Sequence, residues 1–80
     1  MLPIQCKMAR TALGIGVRDL AAMAKVAPGT VARFEAGDDL KERTVDALQS
    51  ALEDAGVAFI RSGDVADGVG VTVREQASQP

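Results

Sequence analysis

Apolar residues recur at intervals of three and four as far as Ala55 and then alternate, with the change of period at Gly56. Three-to-four spacing builds one face of a helix and alternation builds one face of a strand, so a helical body followed by a short β element is expected. Glycine and proline punctuate the helical part. Pro3–Leu13 reads as a first helix, with Pro3 in the first turn, Ile4, Met8, Ala9, Ala12 and Leu13 on one apolar stripe, and Gly14 as the stop. Gly16 can cap a second, Val17–Ala24, in which Val17, Leu20, Ala21 and Ala24 face one way and Arg18 and Asp19 another. After the brief turn of Lys25, Val26 and Ala27, Pro28 opens a third helix that buries Val31 and Phe34 and closes at Gly37. A linker of Asp38, Asp39 and Leu40 leads to a longer helix over 41–55, with Val45, Leu48, Leu52 and Ala55 aligned. Residues 57–61 and 69–74 then read as two strands of a hairpin around the turn-rich stretch 62–68, and 76–80 as a frayed polar tail.

Stabilisation is the next constraint. The chain has 80 residues, no His and one Cys. A domain this short buries only about 60–65% of the surface its unfolded chain exposes, and neither a disulfide nor the usual zinc frameworks can be assembled here. The hairpin alone is marginal in water and has a free edge on each side. Two copies pairing edge to edge would form a four-stranded sheet laid on the fourth helices. A homodimer through Val57, Phe59, Ile60, Val69, Val71 and Val73 is therefore expected, with a hairpin folded back on its own helices as the alternative.

Several function classes drop out. Catalysis assisted by His is excluded, and the neighbouring acids Asp38 and Asp39, or Glu53 and Asp54, do not converge as a catalytic pair would. The irregular glycines from Gly63 to Gly70 precede a strand rather than a helix, which argues against a phosphate-cradling loop. No enzyme activity, cofactor or metal is expected. No apolar run approaches the length of a membrane span and no secretion signal is evident, so the expected compartment is the cytoplasm, where Cys6 reads as a small buried hydrophobe. Charge is uneven. Residues 1–34 carry Lys7, Arg10, Arg18, Lys25 and Arg33 against Asp19 alone, whereas residues 35–80 carry four cations and ten acids. An electrostatic footprint at one end of the molecule is the expectation.

The stretch from Arg10 to Gly37 carries a specific pattern: Arg10, Leu13 and Gly14; Asp19, Leu20, Ala21 and Ala24; Val26; Thr30 and Val31; and Arg33, Phe34, Glu35 and Gly37. With the helix that holds Leu48 and Leu52, residues 3–56 resemble the lambda-repressor-like (Xre/Cro) family of bacterial helix-turn-helix DNA-binding regulators. The resemblance implies a mainly α fold, with four helices forming a DNA-binding domain over 1–56; the hairpin of 57–75 lies outside the shared core and is expected, on the edge-pairing argument above, as a dimerisation element. It implies a structural ion pair between Arg10 and Glu35, and a third helix that enters the major groove. There the chain departs from the family, having Gly16 and Val17 where Ser and Gln are frequent and Ala27, Pro28 and Gly29 where long polar side chains are usual. Base readout is thus expected from Ala27, Pro28, Gly29, Thr30 and above all Arg33, and contacts to phosphate or the minor groove from Val17, Arg18, Lys25, Lys41 and Arg43. The implied function is a transcriptional regulator, most simply a repressor, binding a roughly palindromic operator as a homodimer. The rival expectation is a protein-binding anti-activator or antitoxin on the same scaffold.

Overall fold

The computed structural model describes residues 1–60 and 68–73. Four helices, α1 (Pro3–Leu13), α2 (Val17–Ala24), α3 (Pro28–Glu35) and α4 (Glu42–Asp54), precede two antiparallel strands, β1 (Val57–Ile60) and β2 (Gly70–Val73). The protein is therefore mainly helical with a small two-stranded sheet. Lys41 and Ala55, expected as the ends of the last helix, are its flanking caps. The expected strand ends at 61 and 74, the turn of 62–67 and the tail of 76–80 lie outside the described residues.

The first three helices end in the same device. A residue in the left-handed region, Gly14 (φ 72°), Lys25 (φ 60°) or Gly37 (φ 101°), turns the chain sharply. Its N–H bonds back three residues, to Thr11, Ala22 and Phe34 respectively, and the next N–H reaches back five, from Ile15 to Arg10, Val26 to Ala21 and Asp38 to Arg33. These paired bonds satisfy carbonyls that a helix end would otherwise leave open. Lys25 is the one non-glycine in this set, and its side chain makes the left-handed conformation about 1–2 kcal/mol less favourable.

The turns fold the helices around one core of Cys6, Ala9, Leu20, Ala21, Val31, Phe34, Leu48, Leu52 and Val57. On α1 the buried face differs from the apolar stripe expected from spacing. Gln5, Cys6 and Ala9 are buried, while Ile4 is 53% exposed and Ala12 faces solvent. The inward face is shifted because α1 must present a polar side chain to the hairpin. The amide of Gln5, itself only 4% exposed, donates to the carbonyls of Ile60 and Gly70, both at 3.0 Å, and its Oε1 accepts the N–H of Leu2 at 2.8 Å. Ile60 and Gly70 are cross-strand partners, so one side chain bridges both strands and closes the entry to α1.

The register pairs Val57 with Val73 and Phe59 with Val71, which puts these four side chains on one face of the sheet. That face packs on the chain's own core. Of the six positions expected at a subunit contact, four are therefore occupied within the single chain, and only Ile60, half-buried, and Val69, 40% exposed, lie elsewhere.

Replacing Gln5 by Ala strands two strand carbonyls, so Gln5→Ala is expected to lower stability by about 2–3 kcal/mol. Gln49→Ala, which removes a half-buried amide that donates to exposed Glu53 and accepts a long 3.4 Å bond from the Met1 amino group, is expected to cost less, about 1 kcal/mol or under. Urea unfolding midpoints check both, and equal midpoints would show that the Gln5 amide does not hold the hairpin.

Candidate nucleic-acid interface

Two helices of eight residues, α2 and α3, are joined by the three-residue turn 25–27 and meet through Leu20, Ala21, Val31 and Phe34. Both are too short to be stable alone, so their orientation comes from tertiary contacts. One contact dominates. The guanidinium of Arg10 on α1 donates two parallel hydrogen bonds to the Glu35 carboxylate at the end of α3, Nε to Oε2 and Nη2 to Oε1, each 2.9 Å. Nη1 donates to the carbonyl of Ile15 at 3.3 Å, so the same side chain also fixes the turn between α1 and α2. The thiol of Cys6 completes the cluster by donating to Glu35 Oε2 at 3.4 Å.

This pair is shielded, with side chains 16% and 9% exposed for Arg10 and Glu35. Hydrogen bonds from Arg10 hold the Glu35 carboxyl below its ordinary range against the opposing effect of burial, with help from the Cys6 thiol. The same contact raises the Arg10 guanidinium above its usual value. Burial, reinforced by the neighbouring carboxylate, pushes the Cys6 thiol up to about 12. A thiol so placed stays protonated and unreactive, and it serves as a donor.

With its far end clamped, α3 turns its opening outward. Ala27, Pro28 and Gly29 are exposed and Thr30 is half-buried; Ala32, Arg33 and Ala36 continue the exposed surface. Apart from Arg33 this surface has only small side chains and Pro28. A Cβ at Gly29 would meet no atom within 4 Å, so the first turn of α3 faces open space. A cleft of about 410 Å³ lies beside it, lined by Thr30, Arg33, Asp39, Leu40, Lys41 and Thr44. Three of the candidate contacts, Thr30, Arg33 and Lys41, therefore converge on one concavity.

The other candidates are more dispersed. Arg18 and Lys25 are exposed at opposite ends of α2, Val17 is half-buried at its first position, and Arg43 is exposed in the first turn of α4. At the start of α2 the N–H of Gly16 donates to Asp19 Oδ2 at 2.8 Å, so an internal carboxylate already occupies part of that helix opening. Arg33 also has an acidic neighbour, its Nε lying 3.3 Å from Asp38 Oδ2, with side chains 63% and 55% exposed. Such an exposed pair contributes about 0–1 kcal/mol to stability. Spacing alone did not single out Asp38 or Gln5. The signal for Asp38 was Gly37, since the residue after a left-handed helix end sits over the helix's last turn.

Among the described residues, no group of three or more His, Cys, Asp or Glu side chains could hold a metal ion, and no helix is long and apolar enough to cross a membrane. No protein-family model matches the chain, and no curated protein matches it significantly.

The buried pair sets a pH dependence. Because the folded protein holds Glu35 below its ordinary value of about 4.5, the stabilisation is fully present above that pH and is lost as pH falls through the lower folded value. Glu35→Ala leaves Arg10 without its partner and is expected to destabilise by about 3–5 kcal/mol at pH 7. The gap between wild type and variant should then narrow on acidification below about pH 4.5. Thermal or urea unfolding across pH 3–7 measures it. A gap independent of pH would remove Glu35 ionisation from the account.

Proposed function

We propose that the chain is a sequence-specific DNA-binding regulator of transcription, most simply a repressor, which acts as a homodimer on a roughly palindromic operator. In this reading the protein has a lambda-repressor-like helix-turn-helix domain, α2 and α3 form the motif, and α3 of each copy lies in the major groove. The observation that carries the reading is the disposition of α3, whose carboxyl end is tied to α1 through Glu35 and whose first turn stands exposed beside Arg33. Small side chains at residues 27–29 suit close backbone approach to base edges and contact with thymine methyls, and Arg33 supplies a guanidinium for guanine. Lys41 lines the cleft beside Arg33, and Arg18, Lys25 and Arg43 are further exposed cations suited to phosphate. The contact between copies falls to the outer strand edges of the hairpin, setting two recognition helices about 34 Å, or a multiple of that, apart.

A second reading is favoured by one observation. Asp38 and Asp39 stand beside Arg33 and Lys41 on the same surface, and a carboxylate pair there opposes a polyanion but suits a basic protein surface. On that reading the scaffold is an anti-activator or antitoxin.

Gel shifts with the chain's own upstream DNA over a range of salt separate the two. Specific binding that weakens steeply with salt is expected. Arg33→Ala should relax sequence preference, whereas Lys25→Ala should weaken all duplexes alike and reduce the salt slope by about 1. Absence of binding to any upstream fragment at low salt, with a stoichiometric protein partner in its place, would favour the second reading.

Gly29 gives a further check that separates fold from function. Gly29→Ala meets no steric obstacle within the chain and removes a poor helix former, so stability should rise by about 0.5–1 kcal/mol. If the backbone of this turn approaches bases closely, the same variant loses operator affinity. An unchanged affinity in the stabilised variant would place Gly29 away from the DNA.

A further inference from the structure

Arg33 is tied to Asp38 twice. The N–H of Asp38 donates to the Arg33 carbonyl at 3.0 Å as part of the turn that ends α3, and the Asp38 carboxylate accepts from Arg33 Nε at 3.3 Å. The first bond exists because Gly37 adopts φ 101°, and it carries residue 38 back over the last turn of the helix. The carboxylate is therefore delivered to the guanidinium by backbone geometry, not by a chance meeting of two flexible side chains. Only Nε is engaged. Among the described residues the structure gives Arg33 Nη1 and Nη2 no hydrogen-bond partner.

That division of the guanidinium has a chemical consequence. Bidentate recognition of guanine needs two N–H groups in one plane, presented together to O6 and N7. A free arginine can offer either its Nε edge or its two-nitrogen end, and it loses considerable rotamer freedom when it settles on one. With Nε held, only the end carrying Nη1 and Nη2 can be offered, and the side chain is partly ordered before it meets a base. The pair is too exposed to matter much for the fold, and a carboxylate near a phosphate backbone lowers affinity for every duplex.

We infer that Asp38 is a positioning residue that holds Arg33 by Nε and aims its two terminal nitrogens at one guanine, sharpening sequence discrimination while reducing general affinity for DNA. The inference rests on the DNA-binding reading above, and the experiment keeps the two apart. Duplexes are selected from a randomised library with wild-type protein. Arg33→Ala then identifies the guanine that Arg33 reads, as the position where preference is lost. At that position the wild type should favour guanine by about tenfold or more.

Asp38→Ala and Asp38→Asn both remove the negative charge, but only Asn keeps an oxygen that can accept from Nε. The expected result is that both variants bind random duplex more tightly than wild type. Asp38→Ala loses most of the preference at that one guanine, Asp38→Asn retains most of it, and Asp38→Ala adds nothing in an Arg33→Ala background. Unfolding midpoints for both variants should match wild type, which excludes a change of fold as the cause. Equal preference in wild type and Asp38→Ala, or equal loss in Asp38→Ala and Asp38→Asn, overturns the inference and leaves DNA binding standing. Failure of the wild type to enrich any sequence overturns the DNA-binding reading and this inference with it.

Discussion

The bidentate contact between Arg10 and Glu35 is what the arrangement of the helices depends on. It joins the end of α1 to the end of α3, and through the Ile15 carbonyl it also holds the turn that launches α2. A shielded charge pair adds less net stability than its Coulomb attraction suggests, because both ions leave water. Its value lies in direction. Two parallel hydrogen bonds from a planar fork fix distance and angle together, which apolar contacts at Val31 and Phe34 do not. Cys6 fits the same logic, since its thiol uses a lone pair of the carboxylate that the guanidinium leaves free.

Around this clamp the fold is assembled from short pieces that cannot stand alone. Three left-handed helix ends reverse the chain within three to six residues each, and the core then draws two side chains from every helix. The device leaves a specific mark at the third turn, where Gly37 brings Asp38 over Arg33. Structure and proposed selectivity thus share one glycine.

The hairpin solves the problem of a small core by lending it Val57, Phe59, Val71 and Val73. Gln5 anchors it by donating to one carbonyl from each strand. A sheet attached in this way enlarges the core of its own chain with side chains from both strands.

By itself the sequence determined the order of the elements and the approximate limits of the four helices, because Gly14, Gly37 and Gly56 relieve a steric penalty, Pro28 suits a first helical position, and the apolar period is a local property. It also made Leu20, Val31, Phe34, Leu48 and Leu52 legible as core. Tertiary structure decided the rest. Spacing on α1 cannot say that buried Gln5 outranks exposed Ile4, since that depends on two carbonyls presented from residues 60 and 70. The face of the hairpin was readable as apolar, but whether it would meet its own helices or a second copy depends on distances between elements far apart in the chain. The approach of Asp38 to Arg33 likewise exists only once the backbone has turned at Gly37, because a hydrogen bond of 3.3 Å is set by where atoms lie in space and not by how many residues separate them.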